Sequence, residues 1–116
     1  MVIRYVPDVG HLIWLDFDPS IGHEQAGRRP AIVLSPQSYN SKTSLVIVAP
    51  ITSHKKGYSF EVELPLNSKI SGVVLSDHLR NIDWNRRNVK YAGIAPRAVI
   101  KAVQERISLL LGLGSS

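Results

Sequence analysis

The chain of 116 residues contains no cysteine, one methionine, two tryptophans and two phenylalanines, and only nine acidic residues against fourteen lysines and arginines. Without cysteine there can be no disulfide, no thiolate metal site and no cysteine nucleophile, and such a composition suits a reducing compartment. Long apolar runs are missing too. The longest are short stretches such as Leu45-Val46-Ile47-Val48-Ala49, well below the ~20 residues that a membrane-spanning helix needs. Met1 to Pro7 lacks the apolar segment and small-residue cleavage site of a secretion signal, so a cytoplasmic location with no membrane partner is expected. No internal repeat, low-complexity tract or linker divides the sequence. Its length falls in the single-domain range, and one domain over residues 1–116 is the expectation.

The shortage of acids leaves a net charge of +5 and a sequence pI near 9.8. An excess of base of this size favours a polyanionic partner, either nucleic acid or an acidic polypeptide. The ordinary reading is solubility, since a charge of this size is common in a small domain, and charge alone tips the balance toward nucleic acid. Charge therefore does not separate an enzyme from a binding module.

What is present is a series of short β-rich runs. His11 to Phe17, Arg29 to Leu34, Ser44 to Pro50, Ser59 to Leu64 and Ser71 to Leu75 read as strands, with weaker candidates at Leu79 to Ile82 and Val89 to Ala92. Gly, Pro, Asn and Ser separate them. The period then changes. From Pro96 to Leu111 the apolar residues Val99, Val103, Ile107, Leu110 and Leu111 form one stripe of an amphipathic helix, with Pro96 suited to its first turn and Gly112 to the residue after its end. The pattern predicts a mainly β chain with one C-terminal helix, either a small barrel or a sandwich.

Between the first two strands, a loop from about Asp18 to Arg28 is longer than a hairpin needs, and long loops on small scaffolds are often functional. It carries Glu24, with Arg29 just beyond it. Pro30 pushes Arg29 toward an extended backbone. Thr52 follows Pro50-Ile51 at the end of the third strand. In an antiparallel arrangement the start of strand two and the end of strand three share a rim, so a carboxylate, a guanidinium and a hydroxyl can converge. Taken singly, each has an ordinary reading as a solvated loop acid, a surface charge beside Arg28 and a strand-end threonine.

Five stretches in order carry a resemblance that covers nearly the whole chain. They are Gly10 to Pro19 (GHLIWLDFDP), Gly22 to Ala31 (GHEQAGRRPA), Ala49 to Thr52 (APIT), Lys56 to Val62 (KGYSFEV) and Gly72 to Trp84 (GVVLSDHLRNIDW). The sequence resembles the MazF/PemK family of toxins, with the E-Q-x-G-x-R-P block followed by P-x-T as the specific pair. The resemblance implies an SH3-like small β-barrel of the CcdB/PemK-like type with a C-terminal helix. It implies a sequence-specific, metal-independent endoribonuclease with no cofactor, acting on single-stranded RNA. It also implies a homodimer, and a cognate antitoxin whose acidic C-terminal segment occupies the RNA groove. By position, Glu24, Arg29 and Thr52 match the family's catalytic residues. The implied reaction is attack of a ribose 2′-hydroxyl on the adjacent phosphorus, leaving a 2′,3′-cyclic phosphate and a 5′-hydroxyl.

Arg28, Lys55, Lys56, Arg80, Arg86, Arg87 and Lys90 lie in loops or at strand ends, several of them beside Tyr58 or Trp84. Base interleaved with aromatics is what single-stranded RNA sites use. Arg28, Lys56, Tyr58, Asp77, Arg80 and Arg86 are the expected RNA-binding residues, and for Trp84 burial is an equal expectation. The four histidines, His11, His23, His54 and His78, show no metal-ligand spacing, so no metal is expected. His78 and Ser59 stand where many relatives carry glutamine and proline. Two rivals share the barrel. A gyrase-poisoning toxin of the CcdB type needs a terminal Trp-Gly-Ile, which the end Leu109 to Ser116 lacks. A non-catalytic binding module would not require the Glu24, Arg29 and Thr52 set.

Overall fold

In the computed structural model, which describes residues 4–17 and 27–113, the strands form at the apolar runs. They are β1 (His11–Asp16), β2 (Arg28–Val33), β3 (Leu45–Thr52), β4 (Glu61–Glu63), β5 (Val73–Leu75), β6 (Arg80–Asp83) and β7 (Lys90–Ile94). Helix α1 spans Gln37–Thr43, a 3-10 turn spans Trp84–Arg86, and α2 spans Arg97–Leu110. All pairings are antiparallel, in the order β4-β5-β3-β2-β1-β7, with β6 also on β3. Among the described residues no ladder joins β4 to β7. The observed architecture is thus an open, mainly β sheet with a C-terminal helix, and the closed barrel expected from the sequence is not what the ladders trace.

The two faces of the sheet pack two separate cores, which explains why its strands read as unbroken apolar runs rather than alternating ones. Leu12, Ile32, Ala49 and Ile51 point into a core roofed by Val99 and Val103 of α2 and closed by Val62, Leu64 and Val74. Ile13, Leu15, Ala31, Val33, Val46 and Val48 point into the other, with Phe17, Ile82 and Trp84. The period-2 alternation is intact, but both phases are buried. Pro96 caps α2, and Gly112, at φ 75°, ends it.

Two observations correct the expectation of strands followed by a single helix. Residues 37–43 form α1, between Pro36, with ψ 155°, and Ser44, in the left-handed region at φ 60°. Its sequence, QSYNSKT, has no apolar stripe because its one buried residue is Asn40. β3 also runs two residues past Pro50, the expected strand end, and closes on Thr52, which stands at the end of the third strand as expected. β3 pairs with β2 along one edge. On its other edge it pairs first with β6, over Leu45 to Val48, and then with β5, at Ile51 and Thr52. Pro50 sits at the changeover, where a residue without an N–H disturbs a two-sided strand least.

Candidate active site

Ala31 pairs with Pro50, Ile32 with Ala49 and Val33 with Val48. Extending that register by two residues sets Arg29 opposite Thr52, at the end of the sheet where β2 begins and β3 stops. Both line a cleft of about 500 Å³, together with Trp14, His54 and Lys69. Arg29 also lines a smaller adjoining cleft of about 180 Å³, with Phe17, Pro50, His78 and Arg80. The guanidinium of Arg29 therefore stands between two recesses, each holding a further cation or an imidazole. The backbone N–H of His54 donates to Thr52 Oγ1 at 3.1 Å. This fixes the threonine rotamer and leaves its hydroxyl proton free to be donated elsewhere.

The corner beneath this rim is braced by arginines. Arg28 Nη1 lies 3.3 Å from Asp16 Oδ1 and donates to the Asn88 carbonyl at 2.7 Å. Arg87 donates to the carbonyls of Asp16 and Phe17. The Arg80 guanidinium lies 5.3 Å from the centre of the Phe17 ring, within cation–π range. The Phe17 N–H donates to the Gly27 carbonyl at 2.7 Å, so the two ends of the loop that carries Glu24 are tied together. Glu24 itself, and His23 beside it, lie outside the described residues.

Of the other expected RNA-binding residues, Lys56 and Tyr58 lie in the exposed segment between β3 and β4, and Tyr58 is 58% exposed. That segment folds around Glu61, whose carboxylate accepts from the N–H groups of Lys56 and Gly57 at 2.9–3.3 Å. Desolvation acts to raise the Glu61 carboxyl, but those N–H groups, that of Tyr58 and the charge of Lys55 together hold it below the usual range. Asp77 is exposed and sits 3.7 Å from His78 Nε2. Arg86 is in the 3-10 turn and lines neither Arg29 recess. Trp84 takes the burial reading: it is 7% exposed and its Nε1–H donates to the Asn40 carbonyl at 2.9 Å.

The sequence reading missed Lys69 and Trp14 as cleft residues. Trp14 lies in a strand that reads as core throughout, yet it is 37% exposed and lines the cleft, although it is paired on both sides with Pro30 and Lys90. Lys69 falls outside every recognisable block, and only the fold brings it to this wall. Among the described residues no three His, Asp or Glu side chains are grouped to hold a metal, and no helix is long and apolar enough to cross a membrane.

Comparison with known proteins adds to this geometry. The model of a family described as PemK-like, MazF-like toxin of type II toxin-antitoxin system matches residues 8–111. The Escherichia coli K12 protein named endoribonuclease toxin MazF is 46% identical over 112 residues, covering 97% of this chain and all of that one. An Escherichia coli protein named endoribonuclease PemK is 36% identical over 104 residues, covering 85% of this chain and 78% of that one. The crystal structure of a MazE-MazF complex from Deinococcus radiodurans contains a chain that superposes with a TM-score of 0.86 at 47% identity. The match covers 96% of this chain and all of that one.

Proposed function

The chain belongs to the family of PemK-like, MazF-like toxins of type II toxin–antitoxin systems, and we propose that this endoribonuclease cuts single-stranded RNA without a metal, by attack of a ribose 2′-hydroxyl on the adjacent phosphorus. The observation that carries the proposal is the β2–β3 register, which brings Arg29 and Thr52 to one wall of a nucleotide-sized cleft. Glu24, which lies between Phe17 and Gly27 in the sequence, takes the 2′-proton. Arg29 meets the charge that builds up on the phosphorane, where its planar fork can donate two parallel bonds. Its proton is held too tightly for it to serve as the acid, so its role is electrostatic. Thr52, its rotamer set by His54, donates to a non-bridging oxygen. The P–O5′ bond breaks and the departing oxygen takes a proton from solvent water, leaving a 2′,3′-cyclic phosphate and a 5′-hydroxyl. Lys56, Tyr58, Asp77, Arg80 and Arg28 line or brace the strand's path. A non-catalytic barrel would not need the Arg29 and Thr52 pairing.

The groove is basic and its work is on RNA, which sets the cytoplasm as its place of action. An acidic antitoxin segment that orders on docking is the complementary inhibitor. The homodimer reading draws on the end of α2. Val103 is committed to the chain's own core and Ile107 packs against it. Leu109, Leu110, Leu111 and Leu113 stay exposed beside an apolar groove of about 320 Å³ that includes Leu34, Ile47 and Leu79. We read the two-faced sheet as the laddered part of an SH3-like barrel.

The test is cleavage of a mixed-sequence RNA in excess EDTA, with end-group analysis and a matched substrate that has a 2′-deoxy sugar at the cut site. Cyclic-phosphate ends that vanish with the deoxy sugar are expected. Arg29→Ala should lower the rate by about 10²–10³, and near wild-type cutting by that variant would overturn the assignment.

A further inference from the structure

A second cleft, also of about 500 Å³, opens outside the Arg29 wall and is lined by Arg4, Tyr5, Trp84, Asn85, Arg86 and Asn88. Its volume is in the range of specific binding clefts, and its lining sets two arginines and two asparagines against Tyr5, Trp84 and Val89. Arg4 lies with its guanidinium carbon 5.9 Å from the centre of the Trp84 ring and donates from Nη2 to Asn85 Oδ1 at 2.6 Å. The buried tryptophan and the asparagine thus hold a planar cation in one pose, which reduces the entropy lost when it meets a ligand. Among the described residues Arg86 is tied only by a 3.8 Å approach to Asp83, and its side chain is 85% exposed, so redirecting it to another anion costs little. Asn85 and Asn88 add amides that both donate and accept.

Hydrogen bonds of one wall residue link this cleft to the arginine-braced corner beneath the Arg29 rim. Asn88, on its wall, accepts from Arg28 at 2.7 Å through its carbonyl, and its amide donates to Asp16 Oδ2 at 3.4 Å. Arg28 is the chain neighbour of Arg29. Consecutive residues of a strand face opposite sides of the sheet, so the link from this cleft to the Arg29 wall runs through the β2 backbone at Arg28.

We propose that this cleft is a second RNA subsite that holds nucleotides flanking the cut, with Arg4 and Arg86 on their phosphates and a base against the Arg4 plane. Fixed guanidinium planes and amides suit single-stranded RNA, where bases stack on arginine and present their edges to hydrogen-bonding groups. An acidic peptide would need the charges alone. The inference rests on the endoribonuclease reading and adds a dependence on substrate length.

The experiment compares a short RNA that spans only the cut site with the same RNA extended by ten nucleotides on both sides. Wild type should prefer the long substrate. That preference, as a ratio of kcat/KM values, should fall roughly tenfold for each of Arg4→Ala and Arg86→Ala, carried by KM rather than kcat. The salt dependence of long-RNA binding should become shallower by about 0.7 in log–log slope for each phosphate no longer neutralised. Binding is measured in parallel on a long RNA with a 2′-deoxy sugar at the cut site, so the subsite is tested even if cleavage fails and the endoribonuclease reading with it. Arg86→Glu, at an exposed side chain, guards against misfolding of the Arg4 variant, and melting curves check both. An unchanged long-to-short ratio with unchanged binding would overturn the proposal. So would normal RNA handling combined with weakened binding of an acidic antitoxin peptide, which would assign the cleft to the protein partner.

Discussion

Replacing Asn40 should destabilise the protein more than any surface charge change. Asn40 is fully buried. Its Nδ2 donates to the carbonyls of Pro7 and Ser35 at 2.8 and 2.9 Å, and its Oδ1 accepts from Ser35 Oγ at 2.6 Å. Ser35 Oγ in turn accepts from the Ile47 N–H at 2.9 Å. One amide thus ties the N-terminal segment, α1 and β3 together. Asn40→Ala leaves two carbonyls and one hydroxyl without their partner. At about 1–3 kcal/mol for each stranded buried group, with some relief from rotation of Ser35, the loss should be roughly 3–5 kcal/mol. A domain has only about 5–15 kcal/mol in total. For a chain of this length about 4 °C of melting temperature corresponds to 1 kcal/mol, so a fall of roughly 12–20 °C is expected. Urea unfolding followed by Trp84 fluorescence should show a lower midpoint with an unchanged slope. Asn40→Asp keeps the shape but sets a carboxylate against two carbonyls, and its deficit should shrink in acid as the carboxyl regains a proton to donate. A loss below about 1 kcal/mol in Asn40→Ala would mean that water replaces the amide, refuting the argument.

Other perturbations read different parts of the fold. Gly72 has φ +121°, and a Cβ there would lie 2.3 Å from the Thr52 carbonyl oxygen; Gly72→Ala should cost roughly 1–3 kcal/mol in strain and lower RNA cleavage by displacing Thr52, both read on one purified sample. Burial holds the His11 imidazole below its ordinary pKa against the opposing pull of Asp8, and its Nδ1 is 2.8 Å from the Tyr5 hydroxyl. The unfolded chain therefore binds this proton more readily, so the stabilisation is complete above the ordinary imidazole range and is lost as pH falls through it toward the lowered folded value. Melting curves across that window should slope less in His11→Gln than in wild type. Leu110→Lys, at a position 44% exposed near the apolar groove, should shift sedimentation from dimer to monomer while leaving the fold intact.

Much of this was legible in the sequence, and the exceptions have physical causes. Strand positions followed from β-rich runs between Gly, Pro and Asn, and α2 from its stripe, of which Val99 and Val103 are buried and Ile107 packs on them while Leu110 and Leu111 stay exposed. α1 was invisible because amphipathic reading looks for buried apolar residues, and its buried residue is an asparagine held by hydrogen bonds. The split core was hidden too, since strands buried on both faces lose the contrast that shows which face is which. In the site, Arg29 and Thr52 were legible because each sits in a proline-marked motif at a strand end. Lys69 and the Arg4 cleft were not, because their members come from distant segments with no local pattern.

The two prolines give a physical reason why a short motif can specify this site. Pro30 lies opposite Trp14 and Pro50 opposite Ala31, so they occupy adjacent positions on adjacent strands. A slip of one residue between β2 and β3 would turn Arg29 to the opposite face of the sheet. It would also move Ala31 and Ile32, both fully buried, out of their separate cores. Neither proline can donate to a ladder, so each also restricts which registers keep their hydrogen bonds. Beyond them each strand has two residues left, and one of each pair, Arg29 from β2 and Thr52 from β3, is set opposite the other by the register. The pairing of guanidinium and hydroxyl thus depends on register, and register depends on the buried alanines, isoleucines and valines behind the site. The Arg29–Thr52 geometry should therefore tolerate changes to neighbouring surface charges and fail under changes to the core of β2 and β3.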